Sequence, residues 1–180
     1  MGGQFGNAKN IWKSLAAVAL SLCLDAYSGV RAESAGVPGP FLHESDIGWK
    51  VNDFAVARWK TLIGGNEGGQ IEQGDVQFGL WELAPHAIYH SHRHDVPEIY
   101  YVVSGKGEWS VGPETREVGP GDAVYTAPGS THKMVNTTDQ PLQTVWFWWA
   151  PDGRRKVFEG AYEFTEEAPE QPGNVAPWGP

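Results

Sequence analysis

Short runs of β-forming residues, separated by turn residues, most constrain how this 180-residue chain can fold. Turn residues such as Gly112-Pro113, Gly119-Pro-Gly121 and Pro128-Gly129 divide the runs, and no long stretch repeats apolar residues at helical spacing. Strands are predicted over 54–62, 76–83, 88–94, 98–103, 107–111, 116–118, 123–127, 131–136 and 142–149. Many short strands joined by turns indicate an all-β sandwich or barrel, and the length suits one domain.

The first 32 residues have the pattern of a secretory signal peptide. Lys9 and Lys13 precede an apolar run over 15–24, and small residues follow at Ala26, Ser28 and Ala32. The run is well short of the roughly 20 residues that cross a bilayer, so no stable membrane anchor is expected after cleavage. Cleavage after Ser28 or Ala32 fits the pattern, with Ala32 preferred. We therefore expect a periplasmic or secreted protein.

The remainder is predicted to contain an N-terminal arm over 33–50, a barrel over 51–165 and a loose, proline-containing tail over 166–180. An arm beside a small barrel would suit a homodimer made by strand exchange. With 22 acidic against 13 basic residues, the chain would repel phosphate backbones, so nucleic acid is not expected as a partner. The one cysteine, Cys23, lies in the signal peptide, which leaves only nitrogen and oxygen ligands for a metal.

Histidines and one glutamate form the clearest chemical pattern. The segment His90-Ser-His-Arg-His94 alternates imidazoles, which on a regular strand would all face one side. Glu98 follows at the start of the next predicted strand, and His132 comes after a later Pro-Gly turn. A lone histidine is usually a satisfied structural group, but several imidazoles in one interior need solvent or a metal to offset their desolvation. The pattern predicts one divalent transition metal ion, without distinguishing zinc, iron, manganese, nickel and copper.

Two ordered motifs resemble those of the cupin superfamily. His92-x-His94, three residues, Glu98, six residues and Gly105 resemble the first motif, and Gly121 with Pro128-Gly129-x-x-His132-x-x-x-Asn136 resembles the second. The resemblance implies a single antiparallel cupin barrel, the jelly-roll-like double-stranded β-helix. It also implies metal ligands at His92, His94, Glu98 and His132, with His90 as a pocket residue or substitute ligand. The chain departs from the motifs at His86 and Ala127, both turn positions.

Further residues suggest what the site does. Tyr100 lies two residues after Glu98, so the pleat aims it toward the metal side, where it either moves a proton or only packs. Trp146 and Trp148 share a face of the last strand, where they either fill the barrel or hold a cation against their rings. Glu98-Ile-Tyr100 and the ending Trp146-Phe-Trp-Trp149 are similar to the cupin lyases that cleave dimethylsulfoniopropionate. That resemblance implies that Tyr100 removes the α-proton and that Trp146 and Trp148 line the substrate pocket.

Three functions remain open from the sequence. The first is a metal-dependent lyase or isomerase that acts on a small polar organic molecule. An iron- or copper-dependent dioxygenase would use the same ligands and consume oxygen. A non-catalytic binding module for a small ligand would show saturable binding and no product.

Overall fold

In the computed structural model, the described residues are 39–52, 54–64, 71, 74–152, 162–173, 175 and 178. All described residues belong to one compact unit, 38–180. The predicted signal peptide over 1–32 therefore lies outside the described residues. Within the described part of the chain, no helix is long and apolar enough to cross a membrane.

The described secondary structure is almost entirely strand, which confirms the predicted all-β class. A single 3-10 turn spans Glu44–Asp46. The strands are β1 Lys50–Val51, β2 Ala57–Ile63, β3 Val76–Leu83, β4 Ile88–His94, β5 Glu98–Ser104, β6 Gly107–Val111, β7 Glu114–Val118, β8 Ala123–Thr126, β9 His132–Val135, β10 Leu142–Trp149 and β11 Tyr162–Phe164. Four of them coincide with the predicted strands, whereas β1 and β11 were not predicted.

Two antiparallel sheets make up the barrel. One has the order β1-β2-β3-β10-β5-β8 and the other has the order β11-β4-β9-β6-β7. Along β10, buried residues alternate with half-buried ones, as expected for a strand with one face on a core. Inward residues of both sheets form one core cluster, which includes Trp81, Tyr100 and Leu142 from the first sheet and Trp109 and Met134 from the second.

Two turn positions bear on the motifs. Gly105, the glycine of the first motif, has φ +80°, and a Cβ there would lie 2.3 Å from the backbone oxygen of Pro141, so only glycine fits. His86, which replaces a motif glycine, also lies in the left-handed region with φ +58°. His86 therefore adopts the backbone conformation that a glycine would have at this position. Nε2 of His86 lies 2.6 Å from Oδ1 of Asp139.

A β-bulge interrupts β4 beside its partner β9. Tyr89 pairs with Met134, and His92 pairs with His132. Between these two pairs, β4 therefore contains one more residue than β9. Met134 and His132 are two residues apart on β9 and therefore share a face. Tyr89 and His92 consequently also share a face, which a regular strand would not allow.

Residues of the predicted arm and of the predicted tail contact strands of the barrel in the same chain. In the arm predicted over 33–50, Lys50 pairs with Trp59 of β2 in the same chain. The loose tail over 166–180 stays a prediction, and in its described part the side-chain amide of Gln171 makes two hydrogen bonds with the backbone of Ile88. The Arg58 guanidinium also lies 3.7 Å from the ring centroid of Trp178. These contacts fix tail residues on the barrel, which a polar composition alone did not indicate.

Candidate metal centre

Three buried donors converge at one end of the space between the sheets. His94, Glu98 and His132 each offer one ligand atom, and these atoms lie within 4.8 Å of one another. Oε2 of Glu98 lies 3.0 Å from Nε2 of His94 and 3.1 Å from Nε2 of His132. The three side chains are at most 3% exposed. A cluster of this composition can hold a divalent metal ion.

The local folds orient these donors. β4 ends at His94 and β5 begins at Glu98, so the short link between the two strands places the pair side by side. A hydrogen bond of 2.7 Å from the Gly129 amide to the His94 carbonyl oxygen ties the Pro-Gly turn to β4. That turn leads directly into His132, the first residue of β9. The three donors therefore reach one point from three strands.

Backbone carbonyl groups fix the imidazole tautomers. Nδ1 of His94 lies 2.8 Å from the oxygen of Val96, and Nδ1 of His132 lies 3.1 Å from the oxygen of Ser130. Because a carbonyl oxygen only accepts, each Nδ1 carries a proton, so Nε2 is the ring nitrogen that is turned toward the Glu98 carboxylate. Converging lone pairs repel each other unless a proton or a cation lies between them. The donor set therefore fits a divalent metal ion.

The charges at the cluster support this fit. Burial would raise the pKa of Glu98, but hydrogen bonds and positive charge from His132 and His94 outweigh it and lower the pKa to about 2. Burial, followed by the charge of His132, lowers the pKa of His92 to about 3. At neutral pH Glu98 is thus ionised and His92 is neutral, the protonation states that metal ligands require.

His92 lies beside the cluster without belonging to the three-donor group. Its ring centroid is 3.9 Å from that of His132 and 6.3 Å from that of His94. Nδ1 of His92 donates to the carbonyl oxygen of His90 at 2.9 Å, so its Nε2 also carries a lone pair. The assignment of His92 as a fourth ligand stays a prediction.

The assignment of His90 as a pocket residue or substitute ligand stays a prediction. His90 is 3% exposed, and its ring stacks on Phe164 at 3.9 Å and meets the edge of Phe54 at 4.8 Å. Among the described residues, His90 is not part of the cavity wall. A regular period of two was assumed for β4, and a single extra residue breaks that period.

A cavity of about 380 Å³ adjoins the donor cluster. The predicted residues Tyr100, Trp146 and Trp148 lie in its wall, although their roles stay predictions. The described lining consists of Trp59, Trp81, Tyr89, His92, Glu98, Tyr100, Trp146, Trp148 and Tyr162. Glu98 is the one formally charged side chain in this described lining, and aromatic rings form most of the rest.

Two lining tyrosines were missed by sequence reasoning. Tyr89 enters the cavity because of the bulge, and Tyr162 enters from β11, where it pairs with His94. Their hydroxyl oxygens lie 3.0 Å apart, at hydrogen-bonding distance. The ring of Tyr162 also lies 5.2 Å from that of His92. Alternation of Tyr162 and Phe164 was the available signal for β11, but three residues are too few to predict a strand with it.

The buried phenols in the wall keep their protons at neutral pH. Burial, followed by the negative charge of Glu98, raises the pKa of Tyr100 well above its ordinary value. Burial also raises the pKa of Tyr89. Both phenols are therefore protonated in the metal-free protein.

Comparisons with known proteins agree with the fold and the motifs. The cupin-domain family profile matches residues 79–148, which include both motifs. An uncharacterized protein of Streptomyces coelicolor is 32% identical over 77 residues, which cover 41% of this chain and 73% of that protein. The chain belongs to the cupin superfamily.

A characterised relative is dimethylsulfoniopropionate lyase DddQ of Ruegeria pomeroyi. It is 31% identical over 88 residues, which are 48% of this chain and 42% of the lyase. The matched region thus spans less than half the length of that relative. The similarity to dimethylsulfoniopropionate lyases agrees with the resemblance seen in the sequence.

Solved structures share the fold at low identity. The crystal structure of DddQ from Ruegeria pomeroyi has a TM-score of 0.58 at 18% identity, with 91% of this chain and 100% of that chain covered. The polyketide cyclase RemF of Streptomyces resistomycificus has a TM-score of 0.57 at 19% identity, covering 73% and 90%. At these identities the likeness establishes the double-stranded fold alone.

Proposed function

We propose that this chain is a metal-dependent lyase that cleaves a small carboxylate with a positively charged sulfur group by β-elimination, as for dimethylsulfoniopropionate. One observation carries the proposal. A three-donor cluster adjoins a cavity whose described wall is aromatic and contains no lysine or arginine. The partial similarity to a dimethylsulfoniopropionate lyase supports the same substrate class.

The aromatic wall suits an onium group. Trp146 and Trp148 lie 5.2 Å apart between ring centroids and meet edge to face, so one ring can present its negative face to a ligand beside the other. A cation over the face of a tryptophan gains about 0.5–2 kcal/mol, and more when it is desolvated. The ionised Glu98 adds negative potential to the same cavity.

The other end of the substrate is an anion, and the described lining offers it no basic side chain. A divalent cation held by His94, Glu98 and His132 would act as a Lewis acid toward the substrate carboxylate and would offset the negative charge that raises the pKa of Tyr100. We propose that His92 completes this donor set. The substrate would then lie with its carboxylate at the cluster and its onium group among the tryptophans.

Tyr100 is the proposed base. It is 5% exposed, lines the cavity and lies two residues from Glu98 on β5. As phenolate, Tyr100 takes the proton from the α-carbon, and the electrons of that bond form the double bond between the α- and β-carbons. The bond between the β-carbon and sulfur breaks with its electron pair, which gives neutral dimethyl sulfide and acrylate. Positioned proton transfer of this kind contributes about 10²–10⁴-fold to a rate.

Export is part of the proposal, because a signal peptide over 1–32 would place this chemistry in the periplasm or outside the cell. The homodimer also remains a proposal. Strand exchange through the arm would require β1 to leave β2 of its own chain, with which it pairs over Lys50 and Val51.

The test is product formation by metal-loaded protein. The full chain is incubated with dimethylsulfoniopropionate after loading in turn with zinc, iron(II), manganese, nickel or copper. Dimethyl sulfide is measured in the headspace and acrylate by chromatography. We expect both products in equal amounts with at least one of the metals.

Tyr100→Phe and Tyr101→Phe make a matched pair for this assay. Both remove one phenol hydroxyl from β5, but Tyr101 is 50% exposed on the opposite face. Tyr100→Phe should lower turnover by about 10²-fold or more with metal content unchanged, and Tyr101→Phe should behave as the wild type. Metal-loaded wild type without either product would refute the proposed substrate, and a fully active Tyr100→Phe would refute the role of that tyrosine.

A further inference from the structure

A buried hydroxyl group lies on the strand that pairs with Glu98. Thr126 is 0% exposed, and its Oγ1 has no hydrogen-bond partner among the described residues. Leaving a buried donor unsatisfied costs about 1–3 kcal/mol, so such a group calls for a reason. A valine of nearly the same shape would fill this position without that cost.

The register of the sheet places Thr126 next to Glu98. The two residues are direct partners in the antiparallel pairing of β8 with β5, so their side chains share the inward face of the sheet. Directly opposed residues have Cβ atoms about 4.5–5.5 Å apart, within reach of a hydroxyl and a carboxylate. Trp148 of β10 is the partner of Glu98 on the other side.

Glu98 has capacity for another hydrogen bond. Its Oε2 points at His94 and His132, at 3.0 and 3.1 Å. A carboxylate has about four lone-pair sites, so these contacts leave room for a further donor. A carboxylate that serves as a metal ligand is normally held in turn by hydrogen bonds from neighbouring groups, and losing such a group typically costs 10–100-fold in metal affinity.

We propose that Thr126 is a positioning residue for Glu98: its hydroxyl donates a hydrogen bond to the carboxylate when Glu98 serves as a metal ligand. This inference rests on the proposed metal site. The hydroxyl acts through Glu98 and not on the substrate. Thr126 also ends β8, immediately before the turn that leads to His132, so it joins the strand beside Glu98 to the segment that carries another donor.

Thr61 provides the matched control. It is 1% exposed, and its Oγ1 also has no partner in the described part of the chain, but it lies on β2 opposite Gly79 and away from Glu98 in the register. Thr61→Val and Thr126→Val therefore make the same chemical change at equally buried sites. The two sites differ in their partner on the neighbouring strand: a candidate metal ligand, Glu98, lies opposite Thr126, and Gly79 lies opposite Thr61.

The experiment measures metal affinity by competition with a chelator, using zinc on the full chain. Thr126→Val should bind zinc about 10–100-fold more weakly than the wild type, whereas Thr126→Ser, which keeps the hydroxyl, and Thr61→Val should stay within about threefold. Both valine variants should keep or raise the melting temperature of the metal-free protein, because each removes an unsatisfied donor. If Thr126→Val does not fold, the smaller Thr126→Ala carries the same comparison.

Equal zinc affinity of Thr126→Val and the wild type would overturn the inference and leave the proposed function intact. Affinity lost equally in Thr126→Ser would also overturn it, since the hydroxyl would then not be responsible. A wild type that binds no zinc or other divalent metal would remove the proposed function and the inference together.

Discussion

The hydrogen bond between Tyr89 and Tyr162 allows a quantitative test of how β11 is placed over the cavity. The two hydroxyl oxygens are 3.0 Å apart, and Tyr162 stands opposite His94 in the ladder of β11 with β4. Changing either tyrosine to phenylalanine removes one partner and leaves the aromatic ring. Changing both removes the interaction and leaves no unpaired hydroxyl.

The expected size follows from this geometry. An intramolecular hydrogen bond between neutral groups contributes about 0.5–1.5 kcal/mol net. Tyr89→Phe and Tyr162→Phe should therefore each lower the free energy of unfolding by about 1 kcal/mol, equivalent to about 2–4 °C for a chain of this size. The double variant should lose about as much as one single variant, which gives a coupling energy of about 1 kcal/mol.

Urea unfolding of the metal-free wild type, both single variants and the double variant measures this coupling. The cycle is informative because each substitution removes only a hydroxyl. Strictly additive losses would refute the placement of Tyr162 against Tyr89. The cavity would then lack the wall that β11 supplies.

Three further outcomes are expected. His90→Ala should retain stoichiometric metal by elemental analysis, whereas His92→Ala should lose affinity, and equal losses in both would show that His90 is itself a ligand. In metal-free protein the pKa of Glu98 is lowered from its ordinary 4.5 to about 2, because bonds from imidazoles outweigh burial. The ionised form of Glu98 therefore stabilises the fold above about pH 4.5, and this contribution is lost as the pH falls toward 2. The urea midpoint of the wild type should show this loss. Glu98→Gln has no carboxylate at this position, so its urea midpoint should lack this part of the pH dependence. Leu142→Ala, at a residue 0% exposed in the core, should cost about 2–5 kcal/mol by the same denaturation, and a loss below about 1 kcal/mol would contradict its burial.

Much of the fold was predictable because its signals are local. Alternating burial along Leu142–Trp149 follows directly from alternating sequence, and Gly105 occupies a turn that no other residue fits. The three converging donors were also predictable, since the spacing of His94, Glu98 and His132 is set by short links and a Pro-Gly turn. These features depend on residues close to one another in the chain.

The remaining features depend on pairing between distant segments. The bulge that puts Tyr89 on the same face as His92 is a register shift against β9, and nothing within His90-Ser-His-Arg-His94 marks it. Tyr162 reaches the cavity because β11 pairs with β4. Its partner in that pairing, His94, lies 68 positions earlier in the chain. Contacts over such separations are set by the packing of the barrel. The periodicity of residues along one strand therefore cannot predict them.

The measurement that tests the central claim most directly is the metal content of the purified chain. Inductively coupled plasma analysis is applied to the wild type, Glu98→Gln and His132→Ala after purification without chelators. The cluster of His94, Glu98 and His132 predicts about one equivalent of a divalent transition metal in the wild type and a large loss in both variants. A wild type without metal after reloading, or full retention of metal by Glu98→Gln and His132→Ala, would contradict the account.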